Sequence, residues 1–255
     1  MIYLFKSNIH KHDVFMGKHP TKVNMIYAAN FKTNHTRQST REYLGKLQAQ
    51  LTLNKNPQDK VYIFPPLTAL DDYESADFTV GTQNAYPVES GAFTGEVGLN
   101  QLAEFNINTI LIGHSERRDI LGESQEEVAK KFAFFKEQGF EIIYCIGESL
   151  EVREQGIEAV MEHLVSQFEG IDTTYDNFVV AYEPIWAIGT GRTASVEEIT
   201  ETHNALKKVV DKPLLYGGSV KGANIAEISA VENVDGVLVG GASLKTETVL
   251  ELILH

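Results

Sequence analysis

The sequence predicts an α/β protein folded as a single (β/α)8 barrel, and three observations carry that expectation. From Met25 to the C-terminus, short apolar runs of β character alternate with stretches of helical periodicity. Eight such units within about 230 residues suit a closed parallel barrel better than an open doubly wound sheet. No Gly-x-Gly-x-x-Gly follows the first run, and no Pro-, Gly- or Ser-rich linker divides the chain.

In chain order, strands are expected at 26–30, 61–64, 78–83, 109–113, 141–146, 178–183, 214–217 and 237–239. Pro184 has no backbone donor, so the sixth run should stop at Glu183. Three helix starts are marked by a Ser followed three residues later by Glu: Ser39 with Glu42, Ser124 with Glu127, and Ser195 with Glu198. After the first, Tyr43, Leu44, Leu47 and Leu51 form an apolar stripe at helical spacing; after the second, Val128, Phe132 and Phe135 do the same. The links after Phe64 and Gly217 are short, so their helices must be brief.

Composition narrows the function classes. The chain has 255 residues and 43% hydrophobic content, enough for a sizeable core. Its net charge of −13 argues against nucleic acid as a partner, although an acidic protein can still hold a locally positive site. No apolar run approaches the ~18 residues of a membrane span. The single cysteine, Cys145, leaves no internal disulfide framework and suits a reducing, cytoplasmic setting. Residues 1–24 carry four lysines, His10, His12, His19 and no clear periodicity. They read as an upstream extension, with Met25 the functional start and 25–255 the catalytic domain.

In a parallel barrel the chemistry gathers at the carboxyl ends of the strands. The first strand ends in Asn30 and Lys32, although a lysine there reads equally as a solvated side chain. The fourth ends in His114, where a helix should begin; a helix N-terminus disfavours imidazolium, and a lone loop histidine can also be a simple cap. Cys145, on the fifth, lies in apolar flanks with no basic neighbour and reads as core. The sixth leaves the carboxylate of Glu183 at its tip. It is followed by a loop with a stiff apolar middle and glycine ends: Pro184, Ile185, Trp186, Ala187, Ile188, Gly189, Thr190 and Gly191. That composition suits a rigid lid with hinges, and on its own suits an ordinary connection as well. The seventh and eighth strands end in Gly217-Gly218-Ser219 and Gly240-Gly241-Ala242-Ser243, two glycine turns that suit a phosphate held by backbone N–H groups.

Together these ends describe a metal-free mouth with no cofactor. The histidines at 35, 114, 163 and 203 fall on unrelated segments, and no Gly-x-Ser-x-Gly turn is present. What remains is proton transfer next to a carbonyl on a small phosphorylated molecule, with Glu183 as base and His114 and Lys32 stabilising charge on oxygen.

The ordered series of motifs resembles the triosephosphate isomerase family. It runs through Asn30-Phe31-Lys32, Gln83-Asn84 with Gly91 to Glu96, Gly113 to Arg118, Cys145 to Glu148, Tyr182 to Gly191, Tyr216 to Ser219, and Gly240 to Ser243. The resemblance implies a TIM barrel that interconverts dihydroxyacetone phosphate and D-glyceraldehyde 3-phosphate through an enediolate. It implies that Glu183 moves the proton and that neutral His114 polarises the carbonyl. Asn30 and Lys32 would contact substrate, and N–H groups of Gly189, Ser219, Gly240 and Gly241 would hold the phosphate. Ile188 and Leu238 would enclose the carboxylate and raise its basicity, while Glu116 would order Lys32. It further implies a homodimer, with Thr94, Gly95 and Glu96 in a loop that enters the partner. Phe31 and Arg192 replace the family's commoner Trp and Lys. Two other readings remain: an aldolase-like barrel enzyme, and a non-enzymatic binding protein that has kept the fold.

Overall fold

In the computed structural model, which describes residues 24–189 and 192–255, eight parallel strands alternate with helices. The expected extension therefore lies outside the described residues except for Asn24, and so do Thr190 and Gly191 of the expected lid. The strands are β1 Ile26–Asn30, β2 Lys60–Phe64, β3 Thr79–Val80, β4 Thr109–Ile112, β5 Glu141–Glu148, β6 Phe178–Pro184, β7 Leu214–Tyr216 and β8 Gly236–Val239. Their order is β3-β2-β1-β8-β7-β6-β5-β4. A parallel bridge from Thr82 to Ile110 joins the two ends of that order, so the barrel closes.

The strand alternation sorts side chains into two cores. Ile143 and Cys145 of β5, Val179 and Ala181 of β6, and Leu238 of β8 belong to a small cluster inside the barrel. Their neighbours Ile142, Tyr144, Ile146, Val180 and Tyr182 join the larger cluster beneath the helices. Cys145 is fully buried, and burial pushes its thiol well above the ordinary value, as suits a core residue.

β3 is much shorter than the expected 78–83 run. At Gly81 the chain changes partner: its N–H bonds Ile63 O of β2, while Thr82 N–H bonds Thr109 O of β4. A Cβ at Gly81 would stand 2.4 Å from the Phe64 ring, so only glycine passes there. β6 runs one residue beyond expectation, because Pro184 falls at the last ladder position, opposite Glu148, where a missing donor costs least. Gly147, opposite Glu183, allows the close approach of these strands, since a Cβ there would meet Glu183 O at 2.0 Å.

Helix α1, Arg37–Asn54, starts three residues earlier than the Ser39 signal implied. Thr36 is its cap, and Ser39 fills the reciprocal position usually taken by Glu. The expected stripe is buried: Tyr43, Leu44, Leu47 and Leu51 face the barrel, each contributing about 1.5–3 kcal/mol of burial energy. Ser124 and Ser195 cap α2, Gln125–Glu137, and α3, Val196–Lys207, as expected. The short links carry only a turn at Leu67–Ala69 and the brief helix Ile225–Ser229.

Candidate active site

At the carboxyl ends of the strands a cavity of about 380 Å³ is lined by Asn30, Lys32, His114, Glu183, Ile188, Gly189, Ser219, Leu238, Gly240 and Gly241. Every expected catalytic and substrate-binding residue is in that set. The loop residues Thr94, Gly95 and Glu96 are not; they are exposed on the excursion between Tyr86 and Val97.

Glu183 and His114 form the buried centre, only 2% and 6% exposed. His114 Nε2 is 3.0 Å from Glu183 Oε1. The other carboxylate oxygen accepts the Ser115 N–H at 3.0 Å. His114 Nδ1 faces the Glu116 N–H at 3.2 Å, so the neutral ring carries its proton on Nε2 and donates it to Glu183. The helix expected after His114 is a single turn, Glu116–Ile120.

Two electrostatic expectations are corrected in this arrangement. Burial pushes the Glu183 carboxyl up, but the His114 charge and hydrogen bond and the Ser115 N–H together hold it below the ordinary value. Ile188 and Leu238 line the same cavity, and the burial there does not outweigh those partners. Burial likewise pushes His114 down, and the adjacent Glu183 charge more than reverses this, leaving it raised. The turn after His114 has only five residues, and the Glu183 charge sets the direction.

Lys32 adopts the left-handed region, φ 53°, a conformation unusual for a side chain of its size. Its N–H donates to Asn30 Oδ1 at 2.9 Å, and its carbonyl accepts Gln83 Nε2 at 2.8 Å. Gln83 also reaches Phe64 O at 2.8 Å, tying the ends of β1 and β2 together. The ammonium meets Glu116 Oε1 at 2.5 Å, the ordering contact expected for that pair. The sequence reading placed Gln83 only in a motif and missed Lys221, a second cation lining the cavity. The amide-to-carbonyl clamp of Gln83 joins positions far apart in the chain and leaves no local signal.

The loop after β6 is anchored through Trp186. Its Nε1 donates to Glu148 Oε1 at 2.9 Å, as does Tyr182 OH at 2.9 Å, and Arg153 Nη2 lies 2.9 Å from the same oxygen. Arg192, beyond the glycine end of the loop, lies over the Trp186 ring with its Cζ 4.7 Å from the centroid. Among the described residues no group of three or more His, Cys, Asp or Glu could hold a metal ion.

A closed parallel barrel with a buried acid–base pair at the carboxyl ends of its strands defines a (β/α)8-barrel enzyme. The model of the family described as triosephosphate isomerase matches residues 25–255. A triosephosphate isomerase of a Sulfurovum species is 66% identical over 229 residues, covering 90% of this chain and 99% of its own length. Triosephosphate isomerases of Wolinella succinogenes and of a Nitratiruptor species are 58% and 56% identical, each covering 90% of this chain, and 99% and 97% of their own lengths. The chain belongs to the triosephosphate isomerase family, and it is an isomerase.

Proposed function

We propose that the protein interconverts dihydroxyacetone phosphate and D-glyceraldehyde 3-phosphate, serving glycolysis and, in reverse, gluconeogenesis. The observation that carries this reading is the 3.0 Å pairing of Glu183 with His114 beneath a cavity walled by Lys32 and two glycine turns. When substrate enters, His114 exchanges Glu183 for the carbonyl oxygen and donates its Nε2 proton there. The freed carboxylate loses the His114 contact, the main partner holding its proton affinity down, and burial beside Ile188 and Leu238 then raises it. Glu183 removes a proton from the carbon beside the carbonyl and returns it to the neighbouring carbon, while the deprotonated Nε2 of His114 takes the proton of the other oxygen, which becomes the new carbonyl. Asn30 and Lys32 orient the substrate. N–H groups of Gly189, Ser219, Gly240 and Gly241 hold its phosphate, and the loop that begins at Pro184 closes over it to exclude water.

The test is conversion of glyceraldehyde 3-phosphate by purified protein treated with a chelator, with Glu183→Gln alongside. Rapid turnover lost in the variant is expected. A wild type without turnover, or a variant of equal activity, would remove the assignment.

The working unit we infer is a homodimer of residues 25–255 in the cytoplasm, with 1–24 an upstream extension. The loop bearing Thr94, Gly95 and Glu96 supports the dimer, since Phe93 beside them is 40% exposed and its ring leans on Tyr86 at 4.7 Å. Burial of that tip in a second copy would complete the packing. Sedimentation equilibrium should give twice the chain mass; a monomer at working concentration would overturn it. The cytoplasmic setting is supported by the lone buried Cys145 and, among the described residues, by the lack of any helix long and apolar enough to cross a membrane. Fractionation of the source cells would check it, and the intact mass of the native protein would decide whether Met1 is retained.

A further inference from the structure

The turn after β8 is held from outside by two side chains of the segment that follows β1. Buried Tyr43 donates its hydroxyl to Ser243 O at 2.8 Å. His35 Nε2 lies 3.0 Å from Leu244 O. A carbonyl can only accept, so Nε2 carries the ring proton, and Nδ1 accepts from the Ser39 hydroxyl at 3.1 Å. The same imidazole packs on Phe31, ring centroids 4.6 Å apart, and meets the edge of Tyr43 at 5.6 Å. One ring therefore touches the residue before Lys32, the first turn of α1 and the far end of the Gly240-Gly241 turn.

That turn transmits the tie inward. Ser243 donates to Gly240 O twice, from its N–H at 2.9 Å and its hydroxyl at 2.7 Å. Leu244 N–H reaches Gly241 O at 3.3 Å. Gly240 in turn lies against Lys32, since a Cβ there would be 3.2 Å from Lys32 Cε. His35 achieves this from φ 71°, in the left-handed region that Gly or Asn occupies at lower cost. The backbone alone would be better served by either; the histidine is explained by what its ring reaches.

We propose that His35 is a positioning residue for the phosphate: by fixing Leu244 O it sets where the N–H groups of Gly240 and Gly241 point relative to Lys32. This rests on the phosphate reading of the cavity. Tyr43 is the second arm of the same clasp.

Two substitutions separate the tie from the backbone. His35→Asn suits the left-handed backbone and is too short to reach Leu244 O; His35→Gln has the reach and fits the backbone less well. KM for glyceraldehyde 3-phosphate, competitive inhibition by inorganic phosphate, kcat and thermal melting are measured on both. For His35→Asn, KM and the phosphate inhibition constant should rise about fivefold, the size of one lost hydrogen bond, with kcat within about twofold. His35→Gln should bind phosphate as the wild type does even if it melts lower. Tyr43→Phe should weaken phosphate in the same direction as His35→Asn. Wild-type phosphate binding by His35→Asn, or equal losses in the Asn and Gln variants, overturns the proposal while leaving the isomerase reading intact. If the wild type shows no turnover, that reading fails first, and calorimetric titration of the same variants with inorganic phosphate still decides the role of His35.

Discussion

His114 Nε2 and Glu183 Oε1 are 3.0 Å apart, and each shifts the proton affinity of the other in the direction that favours charge separation. The contact is buried, so the attraction is strong, yet both groups must be free to exchange it for substrate. A resting pair of this kind keeps the base deprotonated and holds the imidazole donor on it, at the wall of the cavity.

The pairing predicts how His114 titrates. Replacing Glu183 by Gln removes the charge that raises it and leaves the burial that lowers it. The His114 midpoint, followed by NMR of the ring protons, should therefore fall in Glu183→Gln. An unchanged or higher midpoint would mean that Glu183 does not control the histidine.

The same pair sets a pH window for stability. Glu183 is lowered, so its contribution is present above the ordinary 4.5 and is lost as pH falls through its folded value. His114 is raised, so its contribution is complete below the ordinary 6.5 and is lost as pH rises through its folded value. The melting temperature of unliganded wild type relative to Glu183→Gln should thus peak between 4.5 and 6.5. A difference that is flat with pH would contradict the shifts.

Shortening the base tests its position separately from its chemistry. Glu183→Asp keeps a carboxylate but withdraws it by about 1 Å, a misplacement that costs about 10²-fold. Its kcat should drop by at least about 10²-fold, with KM changed much less. A fall confined to KM would make Glu183 a binding group.

Much of this site was legible before folding was considered, because a parallel barrel brings strand ends together whatever their separation in sequence. Asn30, His114, Glu183 and Gly240 needed only a correct assignment of strands. The misreadings were of three physical kinds. The length of β3 depended on Gly81 slipping past the Phe64 ring, a steric fact with no periodic signature. The proton affinity of Glu183 depended on Ser115 N–H and His114, a backbone donor and a side chain brought in from another strand end. The start of α1 failed because Ser39, not Glu, completes the Thr36 capping pair.

Gln83 offers a test of how Lys32 is held. Its amide supports the Lys32 and Phe64 carbonyls, each at 2.8 Å, from a position outside the cavity lining. Gln83→Ala should lower kcat/KM by about tenfold as the left-handed Lys32 relaxes, and lower stability by about 1–2 kcal/mol, within the range for lost hydrogen bonds. Full kcat/KM with only the stability loss would show that Lys32 is held by Asn30 and Glu116 alone.

The anchor of the loop after β6 should be stiffer than the loop it holds. Glu148 is fully buried and receives Trp186, Tyr182 and Arg153 through one oxygen. Glu148→Ala would leave the half-buried Arg153 guanidinium with Tyr182 and Thr202 but no carboxylate, a loss of about 3 kcal/mol, the low end for breaking a buried pair. Trp186→Phe keeps the Arg153 pair and most of the ring volume. It gives up the indole hydrogen bond to a charged acceptor, about 1.5–3 kcal/mol, and part of the attraction of the ring for Arg153 and Arg192. Urea unfolding should rank Glu148→Ala below Trp186→Phe. Turnover should change more in Trp186→Phe than that modest stability loss implies, because Trp186 couples the loop to its base at Glu148 and to its far end at Arg192. If the two variants unfold alike, Arg153 finds another partner when Glu148 is removed. If Trp186→Phe turns over as the wild type does, the stacking of Arg192 on Trp186 has no part in closing the loop.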